Sequence, residues 1–218
     1  ISPNTDPRRV VAVEQPTEQS TPIVEIFRKG NGLNTLLIWV VFLMTMLLSY
    51  GLNTWLPSLM TSAGYSLGSG LFNLVVLNIG GFLGAVLGGY LADRFNIKTV
   101  ILAYFVVATV SLASLALTQN SILVNILLIF AGATTVGTLS VIHALAAEYY
   151  PSAIRSTGIG WAAGIGRIGA IAGPVLGGAL LGLALPFSQN FLFVAIPGVI
   201  GAIAIAFVNM SKATKDQA

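Results

Sequence analysis

Long apolar runs alternate with short polar loops along most of the chain. Each run is near the roughly twenty residues that a helix needs to cross a hydrocarbon core about 30 Å thick. A segment in lipid has to satisfy its own backbone hydrogen bonds, so each run is expected to be an α-helix. The predicted spans are residues 35–60, 71–91, 99–117, 122–147, 155–185 and 191–208. The pattern therefore predicts an all-α integral membrane protein with six transmembrane helices.

The predicted domains follow from these spans. Residues 1–33 are rich in proline and polar residues, so we predict a cytoplasmic loop segment there. Residues 34–210 are predicted to form the six-helix transmembrane bundle, and residues 211–218 a cytoplasmic tail. Because the chain does not begin with Met, we also expect it to be part of a longer protein.

The composition indicates that lipid is the main solvent of this chain. Of its 218 residues, 56% are hydrophobic and 8% are charged, whereas soluble domains carry about 25% charged residues. The absence of cysteine excludes a disulfide framework and any thiolate metal site. The basic residues lie between apolar spans and do not form a binding surface, so the formal charge of +3 does not indicate nucleic acid. The lipid bilayer is the expected partner.

The basic residues also predict the orientation in the membrane. The loops around Gly64, Gln119 and Ser188 contain no Lys or Arg. Nine of the ten basic residues lie in the other loops and near the termini: Arg8, Arg9, Arg28, Lys29, Arg94, Lys98, Arg155, Lys212 and Lys215. Cytoplasmic loops carry an excess of Lys and Arg, so this side is predicted to be cytoplasmic. We expect a multi-pass protein of the cell membrane with both termini in the cytoplasm.

The tenth basic residue, Arg167, lies inside the fifth predicted span. It follows Arg155 by twelve residues, which is roughly 18 Å along a helix axis and near the middle of the membrane. A charge at this depth is costly, so it normally faces a partner, a water-filled cavity or a substrate. We predict that Arg167 binds the substrate; the alternative is a buried ion pair with an acid elsewhere in the whole protein.

The helix around Arg167 is predicted to have two different faces. Small residues share its own face on a 3.6-residue helix and should leave space around the guanidinium: Gly160, Ala163, Gly164, Ala170, Ile171 and Pro174. Roughly opposite Arg167 on the same helix is a stripe of glycines suited to close helix packing, formed by Gly169, Gly173 and Gly177. The second span carries a similar stripe, formed by Gly80, Gly84 and Gly88.

A loop motif ends the second span. Gly89, Leu91, Asp93, Arg94 and Lys98 fit the pattern G-x-L-x-D-R-x-x-x-[KR], and this segment resembles the loop signature of the major facilitator superfamily. Asp93 is expected to accept hydrogen bonds from amides at the start of the next helix, where negative charge is favoured.

The residue at the position where the family often has glycine is Asn96. It is expected to form a left-handed turn, because Asn tolerates that backbone conformation. The resemblance implies that this loop acts as a conformational latch; the alternative is a solvated loop with anchoring cations.

A second loop motif follows the fourth span. Glu148, Pro151, Arg155 and Gly158 resemble the E-x-x-P-x-x-x-R-x-x-G loop between the tenth and eleventh helices of the same superfamily. The segments TGIGWAAGIGRIGAIAGP and YGLNTWLPSLM are most similar to the aromatic acid:proton symporter family. The resemblance covers all six spans and implies the C-terminal half of a twelve-helix carrier.

This resemblance implies secondary active transport by alternating access, with uptake of a benzoate-type acid. The partners it implies are a small aromatic carboxylate and an N-terminal six-helix half. No cofactor or metal is expected, and a proton is the expected coupling ion. The only acids near the membrane, Asp93 and Glu148, lie at its edge. The coupling residue is therefore expected on the first helix of the other half.

Four further residues are candidates for substrate binding. Tyr50 and Asn53 lie at helical spacing on the first span and suggest a cavity wall, although interhelical hydrogen bonding is an alternative. His143 is the only histidine and has either a substrate or proton role, or a packing role. Trp161 is the weakest candidate, because it is turned from Arg167 by roughly 120°.

Two other classes of protein explain the sequence less well. A membrane enzyme using His143 and Glu148 would need more metal ligands or a nucleophile pair, and the sequence has no HExxH motif. We therefore predict that the protein is not an enzyme. A structural or channel subunit would explain the glycine stripes but neither loop motif nor Arg167. Among carriers, another organic anion or a sugar is the alternative substrate.

Overall fold

A computed structural model describes residues 26–27, 32–183 and 185–210. Most of the predicted cytoplasmic segment 1–33 and all of the predicted tail 211–218 lie outside the described residues. The basic residues that they carry therefore contribute only to the sequence-based prediction of orientation.

The regular structure of the described residues is entirely helical. The helices are α1 (Gly32–Ser62), α2 (Leu67–Arg94), α3 (Ile97–Leu115), α4 (Ser121–Thr135), α5 (Thr138–Tyr149), α6 (Arg155–Gly182) and α7 (Phe187–Phe207). Since α4 and α5 together make one span, Ser121–Tyr149, six segments are long and apolar enough to cross a membrane. The prediction of an all-α membrane protein with six spans is confirmed.

The fourth span is interrupted, which the sequence did not predict. Helix α4 ends at Thr135 and α5 begins at Thr138. The carbonyl oxygen of Thr135 accepts a hydrogen bond from Ser49 Oγ on α1 at 2.8 Å. The break therefore exposes a backbone acceptor that a neighbouring helix satisfies.

The sixth span begins earlier than the hydrophobic run suggests. Pro186 forms the cap and α7 starts at Phe187. Ser188, which was expected in a loop, lies instead in the first turn of this helix. Proline is suited to this position because it has no N–H to leave unpaired at a helix start.

Both predicted glycine stripes form helix contacts. On α6, a Cβ at Gly173 would lie 2.6 Å from the carbonyl oxygen of Leu47 on α1, so a larger residue would force the two helices apart. On α2, a Cβ at Gly80 would lie 2.8 Å from Ile129 Cα on α4, and Gly84 contacts the backbone of Ala133. Small residues thus allow these backbones to approach closely.

The exposed surface divides into two kinds. Away from their ends, α3, α4 and α7 expose apolar side chains, such as Val106, Ile126 and Ile196. The other helices also expose apolar side chains, such as Phe82 and Ile168. They differ in carrying the exposed polar side chains in the interior of the described spans: Tyr50, Thr54, Asn78, Ser140, His143 and Arg167. Lipid suits the first surface, whereas the second requires water, a ligand or another protein segment.

Candidate functional site

Arg167 lies on the polar surface of the bundle. Its side chain is exposed and makes no ion pair or hydrogen bond with the described residues. Gly160, Gly164 and Ile171 on the same face are also exposed. A Cβ at Gly160 or at Gly164 would meet nothing within 4 Å. The guanidinium therefore has open space beside it and donors that remain available.

The packing of α6 explains why Arg167 points outward. Gly166 packs on Met46 and Gly169 on the backbone of Leu43, both on α1. Further along, the indole N–H of Trp55 donates to the carbonyl oxygen of Pro174. These contacts hold one face of α6 against α1 and leave the face of Arg167 without a helix from the described residues.

Tyr50 and Asn53 differ in how free they are to meet a ligand. Tyr50 is 44% exposed. Asn53 is half-buried and already bonded: its Nδ2 donates to the carbonyl oxygen of Ser49 at 2.8 Å. Its Oδ1 accepts from Asn78 Nδ2 on α2 at 2.9 Å. Asn53 thus connects two helices, whereas Tyr50 presents its ring to the open surface.

His143 is exposed on α5, with its ring set edge-on to Phe42 at 5.2 Å between centroids. Its Nδ1 lies 3.0 Å from the carbonyl oxygen of Leu139. A carbonyl can only accept, so Nδ1 carries the proton, and in the neutral ring Nε2 keeps a free lone pair. Because His143 is exposed, this nitrogen can accept a hydrogen bond at the surface of the bundle. Glu148, five residues further on, is also exposed.

Trp161 lies on α6 beside the face of Arg167. It is 41% exposed and stacks on Trp39 of α1, with ring centroids 6.0 Å apart and planes at 22°. A shallow groove of about 450 Å³ lies beside it, lined by residues of α6 including Thr157 and Gly164. The groove shares Gly160 and Gly164 with the face of Arg167, although Arg167 itself is not part of its lining.

The first loop motif is built differently from the expectation. Asp93 is exposed in the last turn of α2, before the chain turns into α3. The cap of α3 is Asn96, whose Oδ1 accepts from the amide of Lys98 at 2.9 Å. The predicted capping role of Asp93 is wrong, because Asn96 is the residue immediately before the helix. The left-handed turn predicted at Asn96 is also wrong: its φ is −61° and its ψ is 123°.

The two cations of this motif have separate partners. Arg94 lies over the ring of Tyr90, 4.8 Å from its centroid. Lys98 Nζ donates to the carbonyl oxygens of Ala206 and Val208 at the end of α7, at 2.8 Å and 2.6 Å. Gly89, the first motif position, has open space at its Cβ position. Sequence analysis missed the contact of Lys98, since its partners lie more than a hundred residues away.

The second loop motif forms around Tyr150. Arg155 Nε donates to the carbonyl oxygen of Tyr150 at 3.2 Å across the turn that contains Pro151. A Cβ at Gly158 would lie 2.5 Å from the Tyr150 ring, which explains the glycine. Tyr150 is 1% exposed, and burial raises its pKa to about 12. The sequence offered no signal for this residue beyond its place inside the motif.

A family model described as the Major Facilitator Superfamily matches residues 2–138 and 74–218. The chain belongs to the major facilitator superfamily. In the described part of this superfamily member, no group of three or more His, Asp or Glu residues is placed to hold a metal ion. The two loop motifs, the six spans and the family match thus agree on one fold.

The chain is similar to several bacterial transporters of aromatic acids. It is 41% identical to a benzoate transport protein of Acinetobacter baylyi over 88% of this chain and 41% of that protein. It is 39% identical to a gentisate transporter of Corynebacterium glutamicum over 74% of this chain and 36% of that protein. It is 35% identical to a 4-hydroxybenzoate transporter of Pseudomonas aeruginosa over 88% of this chain and 43% of that protein. The recognition of an aromatic acid transporter relative is confirmed.

The solved structures support the same fold. A crystal structure of a peptide transporter in complex with alafosfalin matches with a TM-score of 0.63 and 16% identity, over 79% of this chain and 37% of that one. This likeness concerns the fold alone. The chain spans about two fifths of the length of the curated relatives it matches. Each of these relatives is named as a transport protein.

Proposed function

We propose that this chain is the C-terminal half of a carrier that takes up a small aromatic carboxylate. The observation that carries the proposal is Arg167, an exposed cation without a partner among the described residues, on a surface of small side chains. The relatives named for benzoate, gentisate and 4-hydroxybenzoate support the choice of substrate class. All three of these substrates are small aromatic carboxylates.

The guanidinium of Arg167 binds the carboxylate through two parallel N–H···O bonds in this proposal. Guanidinium geometry matches a carboxylate in this way, and the planar group loses little freedom on binding. The exposed glycines Gly160 and Gly164 on the same face leave room for the ligand to approach. Low dielectric strengthens the pairing once the site closes.

The other candidate residues take unequal parts. Tyr50 is the best placed to stack on the ring of the substrate, because its own ring is exposed on α1. His143 offers Nε2 as an acceptor for a ring hydroxyl or a proton. Asn53 is assigned to bracing α1 against α2. Trp161 contacts the substrate from the side in this proposal, because it lines a groove with Gly160 and Gly164.

Transport proceeds by alternating access in this proposal, with an N-terminal six-helix half rocking against this one around a midplane site. The uptake is coupled to protons, and the coupling residue is assigned to the other half. The two acids near the spans, Asp93 and Glu148, lie near helix ends and far from the centre of a span. No bound cofactor is required.

The carrier lies in the cell membrane, with the loops of Arg94, Lys98 and Arg155 on the cytoplasmic side. Both termini of this chain lie on that side. Asp93 and Glu148 are in the same two loop regions as these cations. In this proposal the two loops close the cytoplasmic entrance as a conformational latch.

The experiment that tests the proposal is uptake into proteoliposomes by the complete carrier, made of this chain and its N-terminal half. Labelled benzoate is supplied with a proton gradient, and 4-hydroxybenzoate, gentisate, gluconate and glucose are added as competitors. The proposal expects saturable uptake that aromatic acids alone inhibit and that a protonophore abolishes. Competition by gluconate or glucose without competition by hydroxybenzoates would replace this substrate class by another.

A further inference from the structure

An apolar groove lies between α6 and α7. Both of these helices pack on α1, and the groove between them has a volume of about 250 Å³. Its back wall is α1, where the lining extends from Leu47 to Leu59, and its sides carry residues such as Leu176 of α6 and Val194 of α7. The protein therefore leaves a space where two neighbouring helices could otherwise have met.

The side chains of the lining offer no free hydrogen-bonding group. Every lining residue is Leu, Val, Ile, Phe, Trp, Pro or Gly. Trp55 carries the one polar side-chain atom among them, and its indole N–H already donates to the carbonyl oxygen of Pro174. A water molecule in a cavity needs roughly two to four polar partners, and cavities without them stay dry. The occupant of this groove is therefore expected to be apolar.

The groove lies on the side of α6 that is turned away from Arg167. Leu176 follows Arg167 by nine residues, which is about 180° around a helix. At the edges of the groove, Leu176, Phe193 and Ile196 are 50%, 47% and 48% exposed. They continue the apolar surface that α7 presents to lipid. The groove therefore opens toward the bilayer and not toward the proposed substrate surface.

The groove is about one leaflet deep. Leu47 and Leu59 are twelve residues apart, or roughly 18 Å along the helix axis, and half of a hydrocarbon core measures about 15 Å. Leu59 lies close to the end of α1 at Ser62, and Leu180 close to the end of α6 at Gly182. The groove thus runs from one membrane surface inward to the middle of the spans.

The width of the groove decides between a lipid chain and a helix of another protein segment. Its volume spread over roughly 18 Å corresponds to a width of about 4 Å, which is the spacing of carbon atoms in van der Waals contact. A helix is about 10 Å across and would need roughly 1,400 Å³ over the same length. A single row of methylene groups fits this space, and a helix does not.

We infer that this groove binds one acyl chain of a membrane phospholipid. The headgroup lies where α1 and α6 end, and the methyl end of the chain lies beside Leu47. The bound chain supplies the dispersion contacts that an empty groove would forfeit, and it fills the space between α6 and α7. This site goes beyond the proposed function, because it depends on the membrane and on no particular substrate.

The first test locates the chain by photo-cross-linking in lipid nanodiscs that hold the complete carrier. Three phosphatidylethanolamine probes carry a diazirine near the carboxyl end, at the middle or near the methyl end of one acyl chain. Peptide mapping should place the adducts near Leu180, near Trp55 and near Leu47, in that order. Adducts confined to the exposed outer surface of α7, with none on the groove lining, would overturn the site.

The second test fills the groove with a larger side chain. Val194→Trp and Leu180→Trp act from its two sides, and each should remove most of the Trp55 adduct of the middle probe. Val199→Trp is the matched control, because it adds the same ring to α7 at an exposed position outside the lining. Gel filtration selects the variants that fold. Full labelling of Trp55 in a folded groove-filling variant would show that ordinary surface lipid produces the adduct.

The third measurement needs no bulky variant and identifies the occupant directly. Benzoylphenylalanine introduced at position 194 should form adducts with phospholipid. Adducts with the N-terminal half instead would assign the groove to a contact between protein segments and overturn the lipid site. Cross-linking does not require transport, so loss of aromatic-acid uptake would contradict the proposed function and leave this site standing. Uptake without adducts on the groove lining would do the reverse.

Discussion

Lys98 caps the end of α7, with its Nζ 2.6 Å from the carbonyl oxygen of Val208. This bond and the one to Ala206 join the start of α3 to the end of the last helix. The last carbonyls of a helix have no partner within it, and a cation is favoured there. The final residue of the first loop motif thus secures a neighbouring helix.

Replacing Lys98 by Met should lower the free energy of unfolding by about 1–3 kcal/mol, because two bonds from a charged donor are lost. Thermal unfolding of the purified protein in detergent measures this change. Arg94→Met is the matched control, since Arg94 belongs to the same motif and its cation lies over the Tyr90 ring, away from the end of α7. Equal losses of unfolding free energy in the two variants would show that the bonds from Lys98 to the end of α7 do not stabilise the fold.

The contact between α2 and α4 should not tolerate a methyl group. Gly84→Ala places a Cβ against the Ala133 backbone, and we expect a loss of about 1–3 kcal/mol from overpacking. Gly89→Ala on the same helix meets nothing within 4 Å and should be neutral or stabilising, because Ala favours a helix. The unfolding temperatures of the two variants provide the comparison. Tolerance of Ala at position 84 would contradict the close approach of these helices.

Asn53 and Asn78 should behave as one unit. Their side chains share a 2.9 Å hydrogen bond, so Asn53→Ala and Asn78→Ala should each cost about 0.5–2 kcal/mol, and the double variant little more than either. A double-mutant cycle on unfolding free energies measures the coupling. If Asn53→Ala raised KM for the substrate while Asn78→Ala did not, Asn53 would be a ligand-binding residue and not a brace.

Two amide substitutions can separate the two nitrogens of His143. Asn imitates Nδ1 and keeps a donor for the Leu139 carbonyl, whereas Gln extends further and imitates Nε2. We propose that Nε2 meets the substrate, so His143→Gln should retain uptake better than His143→Asn. The measurement is the initial rate of 4-hydroxybenzoate uptake at equal expression. A better rate for Asn would assign His143 to packing through its bond to Leu139.

Periodicity in the sequence was sufficient for much of this fold. A run of apolar residues identifies a span because lipid imposes its length and its helical backbone. The same 3.6-residue period separated the packing face of Gly169 and Gly173 from the face of Arg167, as the contacts of α6 confirm.

Features that depend on distant parts of the chain could not be predicted in this way. The bond from Lys98 to α7 and that from Ser49 to the break at Thr135 join residues far apart in sequence. The choice of Asn96 over Asp93 as a cap depends on where α2 ends, and boundaries are the least reliable part of a sequence reading.

The central claim is that Arg167 binds the carboxylate of the substrate. The most direct measurement is the Kd of benzoate for the complete carrier, by calorimetry, with Arg167→Ala, Arg167→Lys and the control Gln189→Ala, at an exposed residue of α7. Loss of a charged bidentate contact should weaken binding by roughly 10- to 100-fold in Arg167→Ala, with a smaller loss in Arg167→Lys and none in Gln189→Ala. An unchanged Kd in a folded Arg167→Ala carrier would contradict the claim and assign Arg167 to an ion pair between the two halves.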